Sequence, residues 1–297
     1  MSGIVVVDKP SGMTSFGVVA KIRGMAKTRK VGHAGTLDPD ATGVLPIFIG
    51  GATRFVELIP DHDKRYTATL ILGITTDTQD ISGTTLFTRP VEVGEGEVAA
   101  AVAKFVGVQQ QIPPMYSAVK QGGKRLYQLA RQGIEVERKA REIEIYSTDL
   151  LAADPQAGRY TIDVHCSKGT YIRTICHDLG KLLGCGGTLE TLRRTHACGF
   201  GIQSAQTLEN LQALADRGKF DSALTPVEDA FGQLARLELD EQTARMFGNG
   251  IHLKLSGIAA DLKEGERVRV FSRERFLGLA RGEGGQLVHV RLMVHPN

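Results

Sequence analysis

Residues 32–43 read Gly-His-Ala-Gly-Thr-Leu-Asp-Pro-Asp-Ala-Thr-Gly, and no other stretch limits the fold of this chain as strongly. Three glycines permit backbone turns that a β-carbon would block, and Pro39 keeps Asp38 out of helical geometry. The segment therefore predicts a rigid, irregular loop that presents Asp38 between a basic run and an apolar one. Asp-Pro also opens ordinary surface turns. Taken alone, the loop leaves both a plain turn and a catalytic carboxylate open, although loops held by a scaffold are where chemistry concentrates.

The flanks predict regular elements. Ile4–Val7 reads as a buried strand ending at Lys9-Pro10-Ser11-Gly12. Thr14 or Ser15 can cap a helix running to about Met25, with Phe16, Val19 and Ile22 roughly on one side. Residues 53–59 have a helical pattern that stops before Pro60, 66–72 alternate as a strand, and 75–83 form an acidic loop. Helical spacing returns over 97–106. Tyr160, Ile162, Val164 and Cys166 share one side of a core strand over 159–166. A Ser-Lys-Gly-Thr turn leads into a helix with Ile172, Ile175, Leu179 and Leu182 on its apolar face. Arg173 falls in that helix's first turn, where a cation opposes the helix dipole and calls for an acidic partner. Residues 207–217 form a further helix and 221–233 a connector. From about residue 235 short strands separated by Gly, Ser and Glu turns predict a compact β-module of about 60 residues.

Charge distribution says more than net charge, which is only +3. Residues 21–30 carry five cations and no acid. Residues 111–141 interleave Lys120, Lys124, Arg125, Arg131, Arg138, Lys139 and Arg141 with Tyr116 and Tyr127. Cations with interspersed rings suit an RNA surface, where phosphates need charge and bases need stacking faces; an amphipathic surface helix would carry the same residues. Thirty-five glycines without a repeat period point to many tight turns and a sheet-rich architecture. Four cysteines without a C-x-x-C pair give no zinc pattern and fit a reducing, cytoplasmic setting. No segment approaches membrane-spanning length.

The glycine loop resembles the catalytic motif of the TruB-type pseudouridine synthases, which isomerise uridine 55 in the T loop of tRNA. Four further stretches resemble that family's motifs in the same order: residues 8–15 (Asp-Lys-Pro-Ser-Gly-Met-Thr-Ser), 63–66 (Asp-Lys-Arg-Tyr), 165–173 (His-Cys-Ser-Lys-Gly-Thr-Tyr-Ile-Arg) and 192–194 (Leu-Arg-Arg). The resemblance implies an α+β fold with a mixed, mainly antiparallel central sheet flanked by helices over 1–233. It also implies an RNA-gripping insertion at about 111–141 and a small β-barrel-like PUA domain over 234–297. It makes Asp38 the catalytic aspartate, Arg173 its ion-pair partner and Tyr66 the ring that stacks on the target base. His33 would disrupt the T loop, Leu192 would line the pocket, and Lys9 and Lys64 would contact substrate. Lys120, Lys124 and Arg125 would grip RNA from the insertion. That insertion matches the stand-alone bacterial form and is lacking in the guide-RNA-dependent relatives. The T arm of tRNA is the implied partner, with no obligate protein partner, metal, membrane or cofactor, because the isomerisation neither gains nor loses atoms or electrons. The alternatives are a tRNA-binding or folding protein without catalysis and a guide-RNA-dependent rRNA pseudouridine synthase.

Overall fold

The computed structural model describes residues 1–258 and 261–293; residues 259, 260 and 294–297 of the expected C-terminal domain lie outside the described residues. The chain begins β1 (Gly3–Lys9), α1 (Ser15–Met25), β2 (Val31–His33), β3 (Thr42–Ile49), a 3-10 helix (Gly50–Leu58) and β4 (Lys64–Leu72). A hairpin of β5 (Ile74–Thr76) and β6 (Thr85–Thr88) precedes α2 (Glu95–Ala103) and β7 (Gly107–Gln111). The small hairpin β8 (Lys120–Gln121) and β9 (Lys124–Arg125) and the short α3 (Leu126–Ala130) follow. Next come β10 (Arg141–Asp154), β11 (Arg159–Cys166), α4 (Ile172–Leu182), β12 (Gly187–Ala197), β13 (Phe200–Gly201) and α5 (Leu208–Asp216). The C-terminal part holds β14 (Ala235–Glu238), α6 (Glu241–Gly248), β15 (Leu253–Lys254), β16 (Arg267–Ser272), β17 (Arg275–Glu283) and β18 (Gln286–Leu292).

The central sheet runs β1-β3-β12-β4-β11-β10-β7, with β2 on β3 and β13 on β12. All its pairings are antiparallel except β3 with β12, which is parallel over Thr42–Gly43 and Arg193–Arg194. This is the mixed, mainly antiparallel sheet expected from the sequence. One face of β4 and β11 (Tyr66, Ala68, Leu70, Tyr160, Ile162, Val164) packs on α2 and α4. Val5, Val7, Leu45, Ile47 and Ile49 of β1 and β3 pack on α1 and α5. Strand β12 carries a bulge at Glu190, between Leu189 opposite Leu70 and Thr191 opposite Thr69.

Five local readings change. Phe16 is 67% exposed, and Val18 joins Val19 and Ile22 in the core of α1 instead. Leu182 is exposed because α4 ends there, at the turn closed by Gly184. The helical pattern over 53–59 is a 3-10 helix starting at Gly50, and the expected loop over 75–83 begins inside the β5–β6 hairpin. The basic segment 111–141 is a hairpin and a five-residue helix rather than one amphipathic helix.

The C-terminal strands form a five-stranded sheet, β14-β16-β17-β18-β15, closed on one side by Ala244 and Phe247 of α6. It does not stand apart. Phe271, Phe276 and Leu279 share a core with Phe48, Phe55 and Phe231, and the Phe55 ring lies 6.0 Å from Phe231 and 5.7 Å from Phe276. A module this small buries too little of its own apolar surface to be robust alone. Phe55→Ala removes the ring common to both parts and is expected to cost about 3–5 kcal/mol of stability. Urea unfolding monitored in the full chain checks this; a loss under about 1 kcal/mol would show the joint is not a packed core.

Candidate active site

The loop that carries Asp38 bridges β2 and β3 and makes few hydrogen bonds within itself. Ala41 N–H donates to the Asp38 carbonyl, and buried side chains hold the rest. The Ser15 hydroxyl brackets Leu37, accepting from its N–H at 2.9 Å and donating to its carbonyl at 3.1 Å. Lys9, fully buried, donates to the carbonyls of Pro10 (2.8 Å), Met13 (2.5 Å) and Pro39 (2.7 Å). Three acceptors use all three protons of an ammonium. Burial pulls Lys9 down to about 8 while Asp40 and Asp38 hold it up, so it is a cation at neutral pH. Arg194, also fully buried, donates to the carbonyls of Val44 (2.7 Å), Gly35 (3.0 Å) and Thr36 (3.5 Å).

Gly43 closes the loop where β3 meets β12. Its φ is +102°, and a β-carbon there would lie 2.1 Å from the Arg194 carbonyl oxygen. Both the conformation and the approach therefore demand glycine.

Arg173 enters from the first turn of α4, and its guanidinium is almost completely buried. Nε lies 3.1 Å from Asp38 Oδ2, and Nη1 lies 3.3 Å from Asp80 Oδ2. The same group donates to the carbonyls of Thr78 (3.2 Å) and Tyr116 (2.9 Å). Two carboxylates thus answer a cation placed at a helix N-terminus. Asp80 is itself fixed by the hydroxyls of Thr78 and Ser82, while Asp77 closes the turn by accepting from Thr84 N–H. Gln111 brackets the backbone of Tyr171, the residue before α4.

Asp38 keeps 49% of its side-chain surface open, yet it stands in dense surroundings. Burial raises its carboxyl above the ordinary carboxylate range; Arg173 pulls it down, and Asp80 and Asp40 push it up again. Arg173 therefore offsets part of the desolvation without overcoming it. Tyr66, nearly buried on β4, lies opposite Arg194 in the sheet. Burial pushes its phenol up, and Arg194 opposes. Leu192 pairs with Ala68 and packs against the same core as Tyr66 and Leu37. Lys64, lowered by burial, rests its stem against Gly35. His33 ends β2, lowered by burial, with Nδ1 enclosed and unpartnered. Together these residues enclose an anion, its counter-cation, a ring and an apolar wall.

The pattern described as "TruB family pseudouridylate synthase (N terminal domain)" matches residues 23–172, and "tRNA pseudouridylate synthase B C-terminal domain" matches 173–232. The chain belongs to the TruB family of pseudouridylate synthases. It is 46% identical to the tRNA pseudouridine synthase B of Syntrophotalea carbinolica, covering 90% of this chain and 88% of the relative. It is 42% identical to that of Aromatoleum aromaticum (99% and 93%) and 40% identical to that of Clostridium tetani (99% and 100%). A solved structure titled "Crystal Structure of a Cbf5-Nop10-Gar1 Complex" superposes with a TM-score of 0.74 at 26% identity, over 98% of this chain and 85% of that one.

In this TruB-family chain the geometry gathers Lys9, Asp38, Lys64, Tyr66, Arg173 and Leu192 around one loop, with His33 at its entrance. Lys120, Lys124 and Arg125 sit together but apart from it, exposed on the β8–β9 hairpin. Of the insertion, the Tyr116 carbonyl is what meets Arg173. Three contributors were not read from sequence. The sequence offers Ser15 only as a helix cap, Asp80 only within an acidic loop, and Arg194 only as the end of a motif. The signal for Arg194 was a charged doublet continuing an apolar strand. Replacing it by methionine leaves two loop carbonyls and that of Val44 in β3 without this donor, which is expected to destabilise the chain by on the order of 3 kcal/mol. Arg194→Lys is expected to recover little, since a point ammonium cannot serve a forked set of acceptors. Urea unfolding of both variants, compared with wild type, tests this; an unchanged midpoint would show that the loop does not depend on the fork.

Proposed function

We propose that this chain isomerises uridine 55 in the T loop of tRNA to pseudouridine, acting as a stand-alone enzyme. The observation that carries the reading is the Asp38–Arg173 pair at 3.1 Å beside Tyr66 and Leu192, in a chain 40–46% identical to proteins named tRNA pseudouridine synthase B. Identity to the Cbf5 protein solved in a complex is 26%, which favours the form that works without partners.

The reaction breaks the C1′–N1 bond, turns the uracil, and joins C5 to C1′; the C5 proton leaves and N1 gains one. Atoms and charge balance within the nucleotide. The uridine is first turned out of its stack, and Tyr66 and Leu192 offer a ring and an apolar wall to receive it. Asp38 supplies the anion that cleavage of the glycosidic bond needs, as carboxylates do in glycosidases. Arg173 holds that anion in place. Lys64 adds positive charge for the phosphates nearby. Lys9, expected to contact substrate, is buried with all three protons on backbone carbonyls and holds the loop instead. His33 enters the opened loop, and the hairpin bearing Lys120, Lys124 and Arg125 grips the stem. The unit from 234 onward acts as a PUA-like extension of the RNA surface.

Asp38→Asn keeps the shape and removes the charge. Isomerisation is expected to fall below detection while tRNA affinity stays within about threefold, since phosphate contacts carry most of the binding. Carbodiimide mapping of pseudouridine in an unmodified transcript, with a filter-binding titration, checks both; turnover by the variant would remove Asp38 from the chemistry.

The pH profile follows from the raised carboxyl. Asp38 is active as the anion, so rate is lost as pH falls through a value above the usual carboxylate range. Asp80→Asn removes a neighbouring negative charge and leaves Arg173 to Asp38 alone. Both effects lower the Asp38 value, so the acid limb of kcat/KM is expected to move to lower pH. A shift to higher pH would contradict the assignment.

A further inference from the structure

Phe16 is the most exposed of the large apolar side chains among the described residues, at 67%, and nothing in the chemistry above uses it. Its position is not casual. Ser15, one residue back, brackets Leu37 in the Asp38 loop, and the Phe16 ring stands edge-on to His33 at 5.9 Å with an interplanar angle of 89°. Along α1 the exposed positions Ala20 and Arg23 follow Phe16 at helical spacing, and exposed Lys27, Arg29 and Lys30 come just after the helix. From Phe16 to His33 there is no acidic residue.

We propose that the outer face of α1 is a binding subsite for a loop nucleotide next to the target uridine. Phe16 stacks on its base, and Arg23 and Lys27 take the neighbouring phosphates. The inference rests on the RNA-modifying function proposed above. A lone ring fits one base, because every base offers a π-face. It does not fit a protein partner, which needs a contiguous apolar patch, whereas the exposed residues around Phe16 are Thr14, Ala20, Lys21 and Arg23. The unbroken positive charge beyond the ring complements a phosphate backbone and would repel a second copy of the same face.

The test uses the full chain and a T-arm stem-loop RNA. Phe16→Ala and Phe16→Leu are expected to weaken binding about 5- to 100-fold, the range one stacked base supplies. Phe16→Trp is expected to bind within about twofold of wild type. The side chain is exposed, so the variants should unfold at the wild-type midpoint. A series of RNAs with one loop base removed at a time then locates the contact. At one position the loss of the base should weaken wild type but leave Phe16→Ala unaffected. Wild-type affinity in Phe16→Ala, full affinity in Phe16→Leu, absence of any coupled position, or altered self-association in place of altered RNA binding would each overturn the proposal. If wild type binds and modifies the RNA while these results fail, only the subsite is lost. If wild type forms no pseudouridine in tRNA, the functional reading fails first.

Discussion

Everything at the centre of this molecule depends on backbone carbonyls held by buried cations. The Asp38 loop cannot form a helix or a strand, so its polar backbone must find partners elsewhere. Lys9 and Arg194 provide them, reaching Gly35, Thr36 and Pro39 in the loop and tying it to Pro10 and Met13 of the preceding turn and Val44 of β3, from two side chains with no exposed surface. Neither has a carboxylate within ion-pairing distance among the described residues. A buried charge without a counter-ion is costly, and here the carbonyl dipoles, together with nearby Asp38 and Asp40 for Lys9, offset that cost. The arrangement makes an irregular loop rigid without using regular structure.

The same device sets the electrostatics of the pocket. Positive charge is concentrated around an acidic side chain that burial would otherwise neutralise. Arg173 faces two carboxylates, and they compete for it. Asp80 anchors the guanidinium from one side while its own charge works against ionisation of Asp38. Placement is thereby gained at some expense in acidity. The C-terminal sheet is joined to this framework through Phe55, Phe231 and Phe276, in a cluster that also holds Ala34 of the Asp38 loop. It behaves as part of one folded body rather than as an appended bead.

Much of the fold was legible because periodicity and punctuation agree. Alternation over 159–166 gave a core strand, and Thr14 gave the start of α1. The candidate site was legible as residue types and motifs, since an arginine in a helix's first turn asks for an acid and found Asp38. What stayed hidden depends on contacts distant in sequence. Arg194 meets residues about 150–159 positions earlier, and Ser15 meets Leu37. Nothing in the Arg193-Arg194 doublet says which of the two goes inside. Phe16 misled for the opposite reason. Helical spacing puts it on one side with Val19 and Ile22, but Val18 joins those two in the core, and spacing alone cannot tell a core ring from an exposed one.

The bulge at Glu190 settles the question of the doublet. Strand side chains alternate between faces, so Leu189 and Leu192 would point to opposite sides of an unbroken β12. One extra residue between them restores the phase. Leu192 and Arg194 then face inward with Tyr66, and Arg193 faces outward to Asp8. The bulge is accordingly as much a component of the candidate site as any functional group in it. Pairing β12 residue for residue against β4, without the bulge, would exchange the two arginines and turn Leu192 to the far side of the sheet.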